Sequence, residues 1–88
     1  MEQFDVVVQN KVGLHARPAS LFVKEANKQK CSVKVLKDGK EYNAKSIMSI
    51  LSMGAHKGTQ LSIITDGEGE KEVMQAIKKL FDSNFGED

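Results

Sequence analysis

Two hydrophobic periodicities alternate along this chain, and their order limits the folds open to it. Phe4, Val6 and Val8 recur at every second position, which predicts a strand with one buried face. Spacings of three and four then predict a helix with one apolar stripe, formed by Ala19, Phe22, Val23 and Ala26. A second stripe of this kind near the end of the chain consists of Val73, Ala76, Ile77, Leu80 and Phe81. In 88 residues, these patterns leave room for one domain with one modest core, which we assign to residues 1–88.

The segment between the two stripes contains a hairpin, a short helix and a further strand. "SVKVL" and "KEYN" flank "KDGK", and an Asp-Gly pair between strand-like runs predicts a tight hairpin. Ser46 precedes "IMSILSM" and Gly54 follows it, which predicts a short capped helix. "TQLSIIT" then predicts a fourth strand, ended by the turn-rich "DGEG".

The predicted order is β-α-β-β-α-β-α. Three helices with one apolar face each, together with a half-buried sheet, predict a two-layer α+β domain. The strand order stays open, because the pattern alone is compatible with a ferredoxin-like arrangement and with other split βαβ windings.

Composition excludes several functions. The net charge of +1, with acids and lysines interspersed, lacks the basic footprint of a nucleic-acid binder. No apolar run approaches the roughly 20 residues that cross a bilayer, and the first residues have no signal pattern. Cys31 is the only cysteine, so we expect it to be a small core residue in a reducing compartment, the cytoplasm. "DGEGEKE" and "GAHKGT" fail the calcium-loop and phosphate-loop spacings, and we expect no metal and no cofactor.

The stretch "GLHARPAS" gathers three scarce residues. Arg17 is the only arginine, Pro18 the only proline and His15 one of two histidines. Pro18 fits the first turn of the following helix, which places His15 at or just before the N-cap. The early amides of a helix attract phosphate-like anions, and a guanidinium matches phosphoryl oxygens. An imidazole nitrogen supplies a nucleophile near neutral pH.

We therefore interpret His15 as an acceptor of a phosphoryl group. The alternative is that His15 is a helix cap or an ordinary surface residue, which is what a histidine in such a place is when nothing else accompanies it. The second histidine, His56, follows the short helix in "GAHKG" and is expected to be a solvated loop residue.

The short helix is too apolar for one buried face. Its apolar residues sweep an arc of about 220° at 100° per residue. If Ile50 and Met53 face the core, Met48, Leu51 and in part Ile47 stay exposed and form a candidate partner surface. The alternative is a helix buried on two sides. Ser46, considered alone, is an N-cap.

"GLHARPAS" and "NAKSIMSILSMG" closely resemble the HPr family, the histidine-containing phosphocarriers of the bacterial sugar phosphotransferase system, and the resemblance runs over essentially the whole chain. It implies an open-faced sandwich, with a four-stranded antiparallel sheet covered on one face by three helices. It also implies that His15 takes a phosphoryl group on Nδ1 from phospho-Enzyme I and passes it to the IIA domains of sugar permeases. The implied phosphate-binding residues are Ala16, Arg17 and Pro18.

The second motif resembles the branch of the family from low-GC Gram-positive bacteria. There the serine at the position of Ser46 is phosphorylated by HPr kinase/phosphorylase, and the product acts as a corepressor with the catabolite control protein. The resemblance places the Enzyme I contact at Ile47, Met48 and Leu51. That branch more often has Met at position 51 and Leu at position 53, and this exchange keeps the surface apolar. We expect a monomer with no direct contact to nucleic acid and no membrane insertion.

Three other functions stay open at this point. The first is a regulatory binding module that uses Ser46 and the apolar surface alone; relatives of that type lack the active-site histidine, so His15 argues against it. The second is an HPr paralogue that serves regulation instead of sugar uptake. The third is a ferredoxin-like nucleic-acid binder, for which stacking aromatics are scarce, with one Tyr and four Phe.

Overall fold

A computed structural model describes residues 1–86 of the chain, and Glu87 and Asp88, the end of the expected 1–88 domain, lie outside the described residues. In chain order the elements are β1 (Glu2–Val7), α1 (Ala16–Ala26), β2 (Ser32–Lys37), β3 (Lys40–Asn43), α2 (Ile47–Met53), β4 (Gln60–Asp66) and α3 (Glu70–Asp82), followed by a 3-10 turn (Asn84–Gly86). The predicted order of elements is confirmed.

The four strands form one antiparallel sheet in the order β1-β4-β2-β3. One row of paired residues crosses it from edge to edge, Phe4, Ile63, Val35 and Tyr42, with the two central side chains buried and the two edge side chains half-buried. The adjacent row, Asp5, Ser62, Leu36 and Glu41, points to the opposite face, where Ser62 Oγ donates to Asp5 Oδ1 at 2.6 Å. This alternation places a core on one face of the sheet only.

The three helices supply the other half of that core. Buried helix residues such as Phe22, Ile50 and Ile77 join Val33 and Ile63 of the sheet in one hydrophobic cluster. The architecture is therefore the expected open-faced α+β sandwich. Cys31 belongs to this cluster, as expected for a small core residue.

The β2–β3 connection follows the turn chemistry that the sequence predicts. Asp38 and Gly39 both have positive φ angles, 51° and 78°. Two consecutive residues of this kind make a type I′ turn, whose twist matches that of the strands it joins.

Different contacts stabilise the two ends of the sheet. At one end, which we call the Val8 end, Val8 N–H donates to Thr59 O at 2.9 Å and closes β1 onto β4. At the other, the Glu70 end, the Met1 amino group lies 2.7 Å from Glu70 Oε2. This contact, together with the hydrogen bond from Gly67 N–H, lowers the pKa of Glu70.

Candidate functional site

His15 follows a loop that hydrogen bonds hold in a fixed shape at the Val8 end. The buried Asn10 donates from Nδ2 to Gly13 O at 2.7 Å, and Gly13 N–H donates back to Asn10 O at 3.2 Å. Gly58 N–H donates to Val8 O at 2.8 Å, which fixes the start of the loop against the segment before β4. The path of the chain into His15 is therefore defined before α1 begins.

Gly13 permits a close approach between this loop and the segment after α2. Its φ is +68°, and a Cβ built on it would lie 2.5 Å from Ala55 O and 2.6 Å from His56 Cα. The next residue, the buried Leu14, donates from its N–H to Ala55 O at 2.9 Å. A side chain at position 13 would push the two segments apart, so glycine is required there on steric and conformational grounds.

His15 is the N-cap of α1 and its side chain is exposed. Its backbone is extended, with φ −90° and ψ −163°, and its imidazole makes no capping hydrogen bond within residues 1–86. The first hydrogen bond of the helix runs from Ala19 N–H to His15 O at 2.9 Å. The amides of Ala16 and Arg17 precede that bond, so they are available to an acceptor from outside the helix.

In the first turn of α1, Arg17 faces solvent and Pro18 faces the core. The Arg17 side chain is exposed, whereas Pro18 is buried against the core and has no N–H to donate. Pro18 therefore offers no donor to an anion, and the donors exposed in this turn are the Arg17 side chain and the amides of Ala16 and Arg17.

The charged residues that flank His15 in the sequence are all positive. Residues 6–24 contain Lys11, Arg17 and Lys24 but no Asp or Glu, although the whole chain has 12 acids. The segment that packs against this loop belongs to residues 42–65, which also lack acids and carry Lys45 and Lys57. An anion at the start of α1 is thus favoured by unpaired amides, by the helix dipole and by nearby cations.

Ser46 caps α2 in the predicted way. Its Oγ accepts a hydrogen bond from Ser49 N–H at 3.3 Å, and its carbonyl accepts from Ile50 N–H at 3.1 Å. The other end of the helix is closed by Gly54, which has the left-handed conformation. Sequence and structure agree on both caps.

The exposed side of α2 is apolar. Met48 and Leu51 are 72% and 39% exposed, Ile47 is half-buried, and Ile50 and Met53 are buried. We call Ile47, Met48 and Leu51 the α2 patch. The predicted division of the helix into a core side and an exposed apolar side is confirmed, and burial on two sides is wrong.

The α2 patch lies between Ser46 and His15. The start of α2 is fixed to the end of α1, because Asn27 Nδ2 donates to Lys45 O at 3.1 Å and Lys45 Nζ donates to Gln29 O at 2.8 Å. Beyond the other end of α2, Ala55 accepts the hydrogen bond from Leu14 described above. At about 1.5 Å per residue along α1, Ser46 and His15 are separated by on the order of 15 Å.

No pattern in the sequence indicates the part that Asn10 has in the loop before His15. Its side chain is 2% exposed, and a single Asn in a polar loop has no pattern by which this burial could be found. His56 is exposed as expected, but it lies beside Gly13 and therefore next to the site, which its place in the sequence did not indicate.

Residues 1–86 contain no group of three or more His, Cys, Asp or Glu side chains that could hold a metal ion. In the same part of the chain, no helix has both the length and the apolar character needed to cross a bilayer.

The fold defines a class of small open-faced α+β domains, and comparison with known proteins names the family. A family model for the HPr component of the phosphotransferase system, described as the PTS HPr component phosphorylation site, matches residues 2–83. The chain belongs to the HPr family of phosphocarrier proteins, and this is a family of carriers, not of catalytic enzymes.

The relatives of this chain include proteins named HPr and proteins named Crh, which are described as HPr-like. The chain is 47% identical to the HPr-like protein Crh of Bacillus subtilis (strain 168), covering 88% of this chain and 91% of Crh. It is 40% identical to the phosphocarrier protein HPr of Mycoplasma capricolum, covering 90% of this chain and 89% of that protein. The crystal structure of HPr from Thermoanaerobacter tengcongensis superposes with a TM-score of 0.96 at 43% identity, covering 100% of this chain and 99% of that one.

Proposed function

We propose that this protein carries a phosphoryl group on His15 between phospho-Enzyme I and the IIA domains of sugar permeases. The observation that supports this most directly is the start of α1. His15 is the N-cap residue there, but its exposed imidazole makes no capping hydrogen bond. The ring is thus free of the helix cap, and the amides of Ala16 and Arg17, which precede the first hydrogen bond of the helix, follow it directly in the chain.

The reaction needs few further groups. A neutral ring nitrogen of His15 attacks phosphorus, the N–P bond forms, and the bond from phosphorus to the donor breaks. In the second half of the cycle the acceptor attacks and the N–P bond breaks. Charge on the transferring oxygens is stabilised by Arg17 and by the first-turn amides, because phosphoryl transfer depends chiefly on positioning and electrostatic stabilisation.

A carrier must also keep its cargo from water. A carboxylate beside the phosphoryl group could act as a general base on a water molecule. Residues 6–24 contain no Asp or Glu, so the segment that carries His15 supplies no such base. This composition favours a carrier over a phosphatase.

The α2 patch and the surrounding cations support docking of Enzyme I and of the IIA domains. An exposed apolar centre suits partners of differing shape, because Met is flexible and polarisable. The acid-free segments around it favour partner surfaces that carry carboxylates. We propose that the protein works in this relay as a monomer in the cytoplasm.

We further propose that Ser46 is the regulatory site, phosphorylated by HPr kinase/phosphorylase, and that the modified protein acts with the catabolite control protein. Ser46 lies at the start of α2, beside Ile47 and Met48, so a modification there changes the charge of the docking surface without touching His15.

A purely regulatory module is the second candidate, and the similarity to Crh favours it. His15 separates the two proposals, since a module that acts only through Ser46 and the α2 patch has no use for a phosphorylatable histidine at the start of α1.

The test is to mix the protein with phosphoenolpyruvate, magnesium and Enzyme I and to measure its intact mass. The carrier should gain one phosphate, which acid should remove because an N–P bond is acid labile. A protein that stays unmodified here, yet is phosphorylated at Ser46 by the kinase, would support the regulatory module instead.

A further inference from the structure

Asn10 is buried, although it is polar and lies in the loop before His15. Within residues 1–86, Thr65 is the only other buried residue with a hydroxyl, amide or charged side chain, at 0% exposed against 2% for Asn10. An amide side chain is costly to bury unless its donors and acceptors have partners. The partners of Asn10 therefore indicate what this side chain does.

Asn10 bonds both backbone polar groups of Gly13. Its Nδ2 donates to Gly13 O at 2.7 Å, and its carbonyl accepts from Gly13 N–H at 3.2 Å. The first bond has an effect beyond the turn, because Gly13 O belongs to the same planar peptide unit as Leu14 N–H. Since Leu14 N–H donates to Ala55 O at 2.9 Å, that unit is held on both of its sides.

The peptide unit between Gly13 and Leu14 has little freedom to reorient. A planar unit that is bonded at its oxygen and at its nitrogen cannot turn about the axis through its flanking Cα atoms without breaking a hydrogen bond. Gly13 is also packed closely against the segment after α2, where a Cβ on it would lie 2.5 Å from Ala55 O. The Leu14 side chain, 3% exposed, anchors the other end of the unit in the core.

The position of the His15 ring depends on this backbone. Within residues 1–86 the imidazole makes no capping hydrogen bond, and the carbonyl of His15 is held by Ala19 N–H at 2.9 Å. His15 is therefore fixed from the helix side by α1 and from the loop side by the unit that Asn10 bonds. In-line phosphoryl transfer requires an aligned nucleophile, and a misplacement of about 1 Å can cost on the order of 100-fold in rate.

We propose that Asn10 is a positioning residue for phosphoryl transfer, which holds the peptide unit between Gly13 and Leu14 and so fixes the backbone from which the His15 ring projects. This inference rests on the proposed function. Asn10 does not belong to the α2 patch, so its loss should slow the transfer step in the docked complex and leave docking unchanged.

The experiment follows one turnover of phosphate transfer from preformed phospho-Enzyme I by rapid quenching, over a range of concentrations of this protein. It gives the rate constant at saturation and the concentration that produces half of it. For Asn10→Ala the rate constant should fall about tenfold, less than for a full 1 Å displacement, because Leu14 still bonds Ala55. The half-saturating concentration should stay within about twofold of the wild-type value, because the α2 patch is unchanged.

Thr65→Val is the matched control for the loss of a buried hydrogen bond. Thr65 Oγ1 donates to Glu70 O at 3.0 Å, at the end of the sheet opposite to His15. Like Asn10→Ala, this variant should have a lower melting temperature than the wild type, but its rate constant for transfer should be that of the wild type.

Asn10→Leu is a second variant at the same position. It keeps the number and branching of the side-chain heavy atoms but has no donor for Gly13 O, and it should slow transfer as Asn10→Ala does. It also serves as the test if Asn10→Ala does not fold.

A small reagent separates the position of the ring from its intrinsic reactivity. Diethyl pyrocarbonate acylates a neutral imidazole and approaches it from any direction, so this reaction needs no alignment with a partner. Peptide mapping should therefore show that His15 is modified at the same rate in the wild-type and Asn10→Ala proteins.

The outcomes separate this inference from the proposed function. If the wild-type protein is phosphorylated and the Asn10 variants have its rate constant at saturation, the inference is overturned. The same holds if Thr65→Val slows transfer equally, or if His15 of Asn10→Ala reacts more slowly with diethyl pyrocarbonate. If the wild-type protein takes up no phosphate from phospho-Enzyme I, the proposed function is overturned, and the inference with it.

Discussion

The helix starts at His15 and at Ser46 use their N-cap residues in opposite ways. At α2, Ser46 Oγ accepts the N–H of Ser49, so the cap side chain stabilises its own helix. At α1, the His15 ring makes no such bond and Pro18 removes one of the amides that would need an acceptor. The Ser46 cap stabilises its helix, whereas the His15 cap leaves its side chain and two amides outside the hydrogen bonds of the helix.

The difference shows how a small domain separates stability from chemistry. Each helix start offers amides and a positive dipole end, so either could receive an anion. In the proposed function, His15 supplies the nucleophile at α1, which then needs only a phosphoryl group. At α2 the proposed anion is a phosphate that a kinase must first attach to the cap oxygen.

The largest expected effect is that of His15→Ala on phosphoryl transfer. The variant should take up no phosphate from Enzyme I, since the nucleophile is gone, and its melting temperature should stay close to that of the wild type, since the ring makes no capping bond. Intact mass and thermal denaturation measure the two quantities. Phosphate uptake by this variant under the same conditions would place the acceptor elsewhere.

Arg17→Ala should have the second-largest effect on phosphoryl transfer. It keeps the nucleophile and both amides but removes the guanidinium from the exposed first turn of α1. Loss of one such stabilising group costs about 100-fold to 1000-fold in rate, and we expect the lower part of that range because the site is exposed. Rapid-quench measurement of phosphate transfer from Enzyme I is the test, and a wild-type rate would make Arg17 a bystander.

Ser46→Asp should act on docking and leave the chemistry of His15 nearly unchanged. One negative charge at the start of α2 is tolerated by the helix dipole, but it must be desolvated beside Ile47 and Met48 when a partner binds. The KM for phosphorylation by Enzyme I should rise by roughly tenfold, more than kcat falls.

Met48→Ala is the uncharged counterpart of that change. It should weaken the same docking, and its effect should add incompletely to that of Ser46→Asp because both act on one interface. Fully additive effects on KM, or early unfolding of the Ser46→Asp protein, would contradict the proposed role of the α2 patch.

The smallest effect expected is that of Ser46→Ala on stability. Loss of the hydrogen bond to Ser49 N–H should cost about 1 kcal/mol of the free energy of unfolding. Chemical denaturation of this variant beside His15→Ala compares the two caps directly. Equal losses for the two variants would remove the contrast between them.

Much of this architecture could be predicted because its local signals are strong. The Asp38–Gly39 turn, the caps Ser46 and Gly54 and the stripe of α3 are each fixed by neighbours in sequence. The strand order β1-β4-β2-β3 could not be predicted from the pattern, because periodicity shows which face of a strand is buried and not which edge pairs with which.

The other omissions have a similar physical origin. Phe85 has a left-handed φ of 56°, and its ring packs 4.8 Å from that of Phe81, although it lies beyond the last helical stripe. No periodicity marks a buried residue in a turn. At the site, residues His15 to Pro18 were evident from their rarity, whereas the support from Asn10 and the nearness of His56 depend on contacts between separate loops.

The bond from Leu14 N–H to Ala55 O gives the site a built-in spectroscopic reporter. This amide is buried, and it can exchange its hydrogen with solvent only when the segment that leads into His15 separates from the segment that follows α2. Its exchange rate therefore measures how often the two halves of the docking surface come apart. A single backbone resonance can follow that opening in the free protein, after phosphorylation and with a partner bound.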